Sequence, residues 1–570
     1  MSFVLSPVSQ DRGPDGAAVV VLGVSATAWA ALADAGIGAD RLDPDATAVF
    51  LEGRADGPMP GPVVDDLPTG DPPARNAVAA ALSWLRAGAD RVALAGAAGG
   101  FVVLKRWADL AGGRGYCVVD LAPHGSRALF DAVRAFGAEP AITGAWPLLL
   151  SARSDAQLRA RAGQVAEQLL ADLYIADFGA SLAAEATAGC RAAVVGADRA
   201  GLRAGFQALA GGCDHEGVVH GTSDARGGVV MVFAGAGGQW RGMGGGLWDD
   251  SPVFRESVLA CADAFEPYVD WSLVDVVRGR RGAASMNRVD VVQPALFTVA
   301  VSLAAVWRAF GVHPAAVVGH SQGEIAAACV AGALSLVDAA RVVAVRSRII
   351  AETLAGKGAM LSVPLPAAEV RRRVARWDDR VAVAAVNGPA TTSVAGAPDA
   401  IEEFFAQLVD EGVRVARIVA DFASHSAQVG EIRSALLEGM GEIRHQATDI
   451  AFCSAVTGDV LDATQLDTEY WYRNLRMPVE FDSAVRSLLG RGFRTFIEPS
   501  SHPLLTAPVE EIARDAGARV TVVGSLRMGE SDAQRMLTSL ATAHVNGVPV
   551  DWSAVYRPAM SRVPGDVSHG

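Results

Sequence analysis

Glycine and proline divide this chain into stretches with different hydrophobic rhythms. Residues 19–22 form a short apolar run between turn-rich segments, and the Pro/Gly/Asp-rich stretch 58–73 reads as loop. The Ala/Leu-rich run 74–87 predicts a helix and 91–95 a strand. From 148 to 212 the pattern predicts mostly helices, for example 155–173, with one strand at 192–195. At Val229–Phe233 the apolar run is unbroken, as in a strand covered on both faces, and it opens a larger α/β unit reaching to 526. Inside that unit strands are expected at 315–318 and 413–419, and helices at 324–330, 338–354 and 428–440. The tail has one amphipathic helix, 532–545, then a Pro-bearing end.

Composition narrows the class. A chain of 570 residues is too long for one compact core. With 51% hydrophobic and 20% charged residues it can bury large cores and is not a disordered chain. A net charge of -14 argues against nucleic acid or an anionic membrane as partner. The longest uncharged apolar run, 294–307, is shorter than the roughly 20 residues that span a bilayer, and the N-terminus lacks the features of a signal peptide. Six cysteines lie scattered with no CxxC pair and no zinc spacing. These features lead us to expect a cytoplasmic protein with reduced thiols and no metal.

The sharpest chemical signal is Gly319-His320-Ser321-Gln322-Gly323, a G-x-S-x-G between an expected strand and an expected helix. That is the context of a nucleophile elbow, in which a sharp turn lifts the serine hydroxyl out of the sheet and a helix N-terminus points free N–H groups at the reacting centre. A serine nucleophile needs a base within hydrogen-bond reach. Of ten histidines, His425 in a loop between an expected strand and helix is the first candidate and His502 the second. Arg346 is out of place: Val342, Val343, Ile349 and Ile350 lie three and four residues on either side of it, so it falls on the buried stripe of its helix. A guanidinium there needs an anionic ligand or an internal ion pair. The Gly-rich loop 233–240 lacks the third glycine of a dinucleotide fingerprint, because Trp240 takes its place. Such a loop can instead offer a backbone N–H to an oxyanion.

Taken together and in this order, FAGAGGQW (233–240), RVDVVQPALF (288–297), GHSQGE (319–324), Arg346, Gly358-Ala359-Met360, Asn387-Gly388-Pro389, FASHSAQV (422–429), IEPSSHPLL (497–505) and VGSLR (523–527) resemble the acyltransferase domains of modular type I polyketide synthases over residues 192–556. The resemblance implies an α/β fold, with an α/β-hydrolase-like large subdomain (229–526) and an inserted ferredoxin-like small subdomain (356–421). A linker domain (146–228) precedes it, beginning near LLLSARSD (148–155), and a wrap-around linker (527–570) follows. Residues 1–145 resemble a degenerate ketosynthase: 74–100 looks like the helix and strand after the active cysteine, but Asp71-Pro72-Pro73-Ala74-Arg75 stands where the cysteine run would be.

By resemblance, Ser321 is the acyl nucleophile and His425 its base, oriented by a backbone carbonyl. The N–H groups of Gln322 and Ala236 form the oxyanion hole, although the family usually has Pro and Gln where this chain has Ala234 and Ala236. Arg346 holds a substrate carboxylate, and Gln293, Asn387, Phe422 and Ser424 line the pocket, Phe422 replacing the usual Tyr. The donor is an acyl-CoA and the acceptor the phosphopantetheine thiol of an acyl carrier protein, with no resident cofactor. Retention of Arg346, together with a dead ketosynthase after Met1, suggests a loading module that takes an intact dicarboxylic starter such as a cyclopentane dicarboxylate. Methylmalonyl transfer is the alternative, since RVDVVQ, GHSQG and FASH resemble the methylmalonyl-type pattern; a serine hydrolase or thioesterase is the remoter one.

Overall fold

The computed structural model describes residues 141–556 apart from 171–173, 187 and 224–226, together with six strands within the first 140 residues. It comprises two units, Met1–Pro140 with Arg557–Gly570, and Ala141–Tyr556. In the first unit Asp11–Arg12 (β1) pairs antiparallel with Ala18–Val19 (β2). Val49–Glu52 (β3), Arg91–Ala95 (β4), Phe101–Arg106 (β5) and Tyr116–Leu121 (β6) form an antiparallel sheet in chain order. The strand expected at 91–95 is β4. The helix expected at 74–87 and the run 71–75 lie outside the described residues.

The second unit opens with an antiparallel sheet of Trp146–Ala152 (β7), Cys190–Gly196 (β8) and Val218–Thr222 (β9). Over 148–212 the pattern predicts one strand, and there are two, β7 and β8; β9 follows beyond that stretch. β7 is covered on both faces, so its apolar run has no alternation to mark it as a strand. Leu148 and Leu150 pack with Leu158 and Phe206 of the helices Asp155–Gln168 and Arg199–Gly211, while Leu149 faces the large core. The tail helix Asp532–Val545 packs on β8 and β9. Arg191 Nη1 ties to it by donating to the His544 carbonyl at 3.1 Å, and the Tyr556 hydroxyl donates to the Pro147 carbonyl.

Val229–Phe233 (β10) and Pro314–Gly319 (β11) pair in parallel at the centre of the large subdomain's sheet. An insertion follows: Ala359–Val363 (β12), a helix Ala367–Val374, Val381–Gly388 (β13), Thr391–Gly396 (β14), a helix Pro398–Asp410 and Ala416–Ile418 (β15). Its antiparallel order, β13-β14-β12-β15, is that of a ferredoxin-like βαββαβ fold. The chain then returns through Ala451–Ser454 (β16), Asp459–Leu461 (β17), Thr495–Glu498 (β18) and Thr521–Gly524 (β19). The resulting six-stranded sheet runs β17-β16-β11-β10-β18-β19, parallel except at β17.

Inside its unbroken apolar run β10 still alternates. Met231 and Phe233 face one core, and Val230 and Val232 the other, with Phe481, Leu488 and Val509. The helix Val289–Ala309 is, among the described residues, long and apolar enough to cross a membrane by length and composition; here 78% of its apolar window is buried inside the protein.

At the end of β18 the buried Glu498 carboxylate gathers the loop that follows. It accepts from the amides of Leu504 (2.8 Å), Leu505 (2.9 Å) and Thr506 (3.0 Å) and from the Ser500 hydroxyl (2.9 Å). Burial pushes this carboxyl above its ordinary pKa, and those donors pull it back down. Removing it strands three amides at the start of the helix Thr506–Asp515. Each unsatisfied donor costs roughly 1–3 kcal/mol. Glu498→Ala should therefore lower the unfolding free energy by about 3 kcal/mol, read as a lower urea midpoint; an unshifted midpoint would show that solvent replaces the carboxylate at no cost.

Candidate active site

The elbow forms where β11 ends. Ser321 sits at φ 55, a left-handed conformation that costs a non-glycine residue about 1–3 kcal/mol. Two glycines make the turn possible through close approach: a Cβ on Gly319 would lie 2.2 Å from the Glu324 amide nitrogen, and one on Gly323 would lie 2.1 Å from the Phe233 carbonyl oxygen. Phe233 pairs with Gly319 across β10 and β11, so the Gly-rich loop and the elbow leave the sheet side by side. The His320 amide closes the pair by donating to the Phe233 carbonyl at 2.8 Å. The helix Gly323–Ala331 then starts, its N-terminus beside the serine.

His425 is 3% exposed and brings Nε2 to 2.8 Å from Ser321 Oγ. Its Nδ1 lies 2.7 Å from the Met477 carbonyl oxygen. A carbonyl can only accept, so Nδ1 carries the proton and the Nε2 lone pair faces the serine hydroxyl. Burial pushes this imidazole down to about 3 against the Met477 hydrogen bond, which acts the other way; the charge of Arg346 and that of His320 lower it further. The expected strand at 413–419 is only Ala416–Ile418, and the helix expected at 428–440 is a 3₁₀ turn, Ala427–Ile432, then Arg433–Met440. What seats the loop is Gly358, where a Cβ would meet the Ala423 nitrogen at 2.0 Å.

His502 does a different job. Its Nδ1 accepts from the Met528 amide at 3.3 Å. The neighbouring Ser501 hydroxyl donates to the Gly238 carbonyl at 2.7 Å, and Trp240 Nε1 donates to the Ser501 carbonyl at 3.3 Å. The loop organised by Glu498 thus clasps the Gly-rich loop that carries Ala236.

Arg346 is 2% exposed on the helix Leu336–Thr353. Nη1 donates to Asn474 Oδ1 at 2.6 Å, while the buried Nε has no acceptor among the described residues. No carboxylate is in contact with Arg346 among the described residues. The charge of Glu324 acts on it; this residue is also buried, and its Oε2 accepts from Asn474 Nδ2 at 2.7 Å and from the Tyr470 hydroxyl at 2.9 Å. Burial pushes Glu324 up to about 7 and Arg346 down to about 10, each opposed by the other's charge.

The remaining expected pocket residues differ in their engagement. Gln293 Oε1 and both polar atoms of the Gln322 side chain are buried without a partner among the described residues. Phe422 packs against the large core, and the Ser424 hydroxyl lies 3.5 Å from Met360 Sδ. Asn387 Oδ1 is 2.8 Å from His320 Nε2, and its Nδ2 donates to Ser393 Oγ at 3.1 Å, so it bridges the elbow to the small subdomain. Glu324, Tyr470, Asn474 and Met477 were not expected at the centre. A signal for Asn474 exists in the sequence: it shares the buried stripe of the helix Thr468–Arg476 with Tyr470, Trp471 and Leu475, the same anomaly that marks Arg346. Among the described residues no His, Cys, Asp and Glu cluster could hold a metal ion.

Comparison with known proteins places this geometry. Residues 230–550 match the family model described as "Acyl transferase domain". The spectinabilin polyketide synthase system protein NorA' of Streptomyces orinoci is 50% identical over 428 residues, which is 74% of this chain and 12% of the relative. The chain therefore spans only a small part of that curated relative's length. Among solved structures, the acyltransferase domain from module 8 of the salinomycin polyketide synthase is 48% identical with a TM-score of 0.71, covering 73% of this chain and 99% of that one. A loading acyltransferase from the avermectin modular polyketide synthase is 48% identical with a TM-score of 0.54, covering 56% of this chain and 100% of that one.

The hydrogen bond to a carbonyl and the depressed pKa predict one protonation state for His425. Nitrogen-15 spectra of labelled histidine should find it neutral, with the proton on Nδ1, from pH 5 to pH 8. A midpoint near 6.5 for this ring, or a proton on Nε2, would contradict the geometry.

Proposed function

This chain belongs to the acyl transferase domain family, as found in modular polyketide synthases, and is an acyltransferase; we propose that it carries a carboxylated acyl group from coenzyme A to the phosphopantetheine thiol of an acyl carrier protein through an ester on Ser321. The observation that carries the substrate reading is Arg346. It is a buried guanidinium whose only acceptor among the described residues is a neutral amide, which leaves a planar donor edge for a carboxylate.

In the first half-reaction Ser321 Oγ attacks the thioester carbonyl as its proton passes to His425 Nε2. The oxyanion is met by the N–H groups of Gln322 and Ala236, which have no acceptor among the described residues. Burial makes the protonated imidazole costly, so the proton moves as charge builds on the carbonyl oxygen. Collapse breaks the carbon–sulfur bond, and the imidazolium returns the proton to the coenzyme A sulfur. The second half runs in reverse, with His425 deprotonating the carrier's thiol and the ester transferring to it. The Met477 carbonyl orients His425, so no third carboxylate is needed.

We read the acyl group as a dicarboxylic starter kept intact, such as a cyclopentane dicarboxylate, delivered in a loading module. The run 71–75, where a ketosynthase cysteine would stand, supports this, because such a segment cannot decarboxylate a bound diacid. The second reading, methylmalonyl transfer, is supported by the Gln322 and Gln293 motifs. A hydrolase would leave the Arg346 guanidinium with no role.

Ser321→Ala should abolish the acyl-enzyme seen by intact-protein mass after mixing with a panel of mono- and dicarboxylyl-CoAs. A stable adduct mapped to another residue would overturn the nucleophile assignment. Arg346→Ala should lower diacid transfer by roughly ten- to several-hundred-fold, since charge-assisted bonds are worth about 1.5–3 kcal/mol each and about 1.4 kcal/mol is a decade in rate. Propionyl or butyryl transfer should change much less. An unchanged ratio of kcat/KM for diacid over monoacid would confine Arg346 to an internal role and remove the dicarboxylate reading with it.

A further inference from the structure

One amide stands between the nucleophile and the guanidinium. Asn474 Nδ2 donates to the Ser321 carbonyl oxygen at 3.0 Å and to Glu324 Oε2 at 2.7 Å, while Oδ1 accepts from Arg346 Nη1 at 2.6 Å. Its orientation is not ambiguous. The Ser321 carbonyl can only accept, and the guanidinium can only donate, so the two ends of the amide cannot be exchanged. Asn474 is 2% exposed and Glu324 fully buried, so water does not compete for these bonds. Glu324 is held in turn by the Ala455 amide and the Tyr470 hydroxyl, which lies 2.7 Å from Ser454 Oγ. The network anchors the elbow to β16 and to the helix Thr468–Arg476.

We propose that Asn474 is a positioning residue that ties Arg346 to the backbone of Ser321, so that the group receiving the substrate carboxylate and the nucleophile keep one fixed separation. Ser321 stands at φ 55 with its carbonyl pinned by Asn474 Nδ2 and by the Glu324 amide at 3.1 Å. The Glu324 amide belongs to the helix that follows and moves with the elbow. Asn474 comes from a separate element, 153 residues away in the chain, and references the elbow to the rest of the site. The same helix end also supplies the carbonyls that receive the amide of His425, from Leu475, and its Nδ1–H, from Met477. One short segment, residues 474–477, therefore sets the positions of nucleophile, base and guanidinium together. The elbow half of this proposal is independent of the substrate; the guanidinium half rests on the reading that Arg346 receives a carboxylate.

The test compares Asn474→Leu, Arg346→Ala and the double variant in the full-length protein, each first checked for fold by circular dichroism. Three rates are measured: single-turnover acylation by a dicarboxylyl-CoA, by its monocarboxylyl analogue, and inactivation of Ser321 by phenylmethylsulfonyl fluoride, which has no carboxylate. Displacing a reacting group by about an ångström costs on the order of a hundred-fold. Asn474→Leu should slow all three reactions by roughly ten- to a hundred-fold, mainly in the maximal rate and not in the concentration dependence. Arg346→Ala should slow only the diacid. In the double variant the diacid loss should be smaller than the product of the two single losses, because the residues act through one contact. If Asn474→Leu does not fold, Asn474→Asp replaces it: it keeps an acceptor for Arg346 but as a carboxylate brings no N–H to Ser321, and should slow the sulfonyl fluoride reaction in the same way. A folded Asn474 variant that reacts with the sulfonyl fluoride at the wild-type rate overturns the proposal. Loss confined to the diacid would also overturn it, since Asn474 would then serve Arg346 alone. Failure of Arg346→Ala to separate diacid from monoacid, with the sulfonyl fluoride effect intact, would instead strike the substrate reading and leave the elbow assignment standing.

Discussion

Holding a serine at φ 55 on a turn with almost no free space is the condition to which the centre of this protein is built. The turn needs Gly319 and Gly323, because either Cβ would overlap backbone atoms of the elbow or of β10. It needs β10 as a direct neighbour, since the Phe233 carbonyl receives the His320 amide and lies against Gly323. That neighbour then delivers the Gly-rich loop to the same end of the sheet, where the Ser500–His502 loop clasps it and Glu498 clasps that loop in turn. The strain at one residue is thus held by a sequence of close contacts, which in the proposed mechanism would also hold the backbone donors of the oxyanion hole in place. Preorganisation of this kind works because none of the donors has to reorient as charge develops.

The second constraint is charge in a dry place. Arg346 and Glu324 could have been apolar at lower cost, because replacing a buried ionic group with well-packed hydrophobic residues is often neutral or stabilising. They do not form a contact pair either; Asn474 stands between them. Direct pairing would quench the guanidinium and leave little for a ligand. The intervening amide gives Arg346 one hydrogen bond and lets the Glu324 charge act at a distance, so Arg346 remains charged, with Nε unpaired among the described residues.

What the sequence disclosed and what it concealed follow from the range of the interactions involved. The elbow was legible because its requirements are local: two glycines, a strand before and a helix after. Arg346 was legible from helical periodicity, since its oddness is visible within a few residues. His425 could be ranked above His502 but not separated from it by spacing. The partner that orients it is a backbone carbonyl at Met477, which has no side-chain signature, and a carboxylate partner would have been easier to find. β7 was missed for a related reason, because burial on both faces removes the alternation that marks a strand. Asn387 was expected in the pocket, and the structure gives its Oδ1 to His320, a contact across 67 positions that no local pattern encodes.

These constraints together set how sharply the proposed site can discriminate. A site built to hydrogen-bond a substrate group rejects analogues lacking it in proportion to the polar atoms then left unpaired. Without its anion, Arg346 here is neither fully satisfied nor abandoned. One N–H is spent on Asn474, and a distant carboxylate offsets part of its charge, yet burial still holds its pKa down to about 10. A substrate carboxylate would relieve that residual cost, and a monocarboxylate would leave it in place without adding a new one. Discrimination should therefore be graded and not absolute. Had Asn474 been apolar, the guanidinium would have been costlier to bury and more selective. Had it been an aspartate in contact, the pair would have been self-sufficient and nearly indifferent to substrate. A neutral amide, with an acceptor for the guanidinium at one end and donors for the elbow at the other, holds the arginine charged, in place and incompletely satisfied.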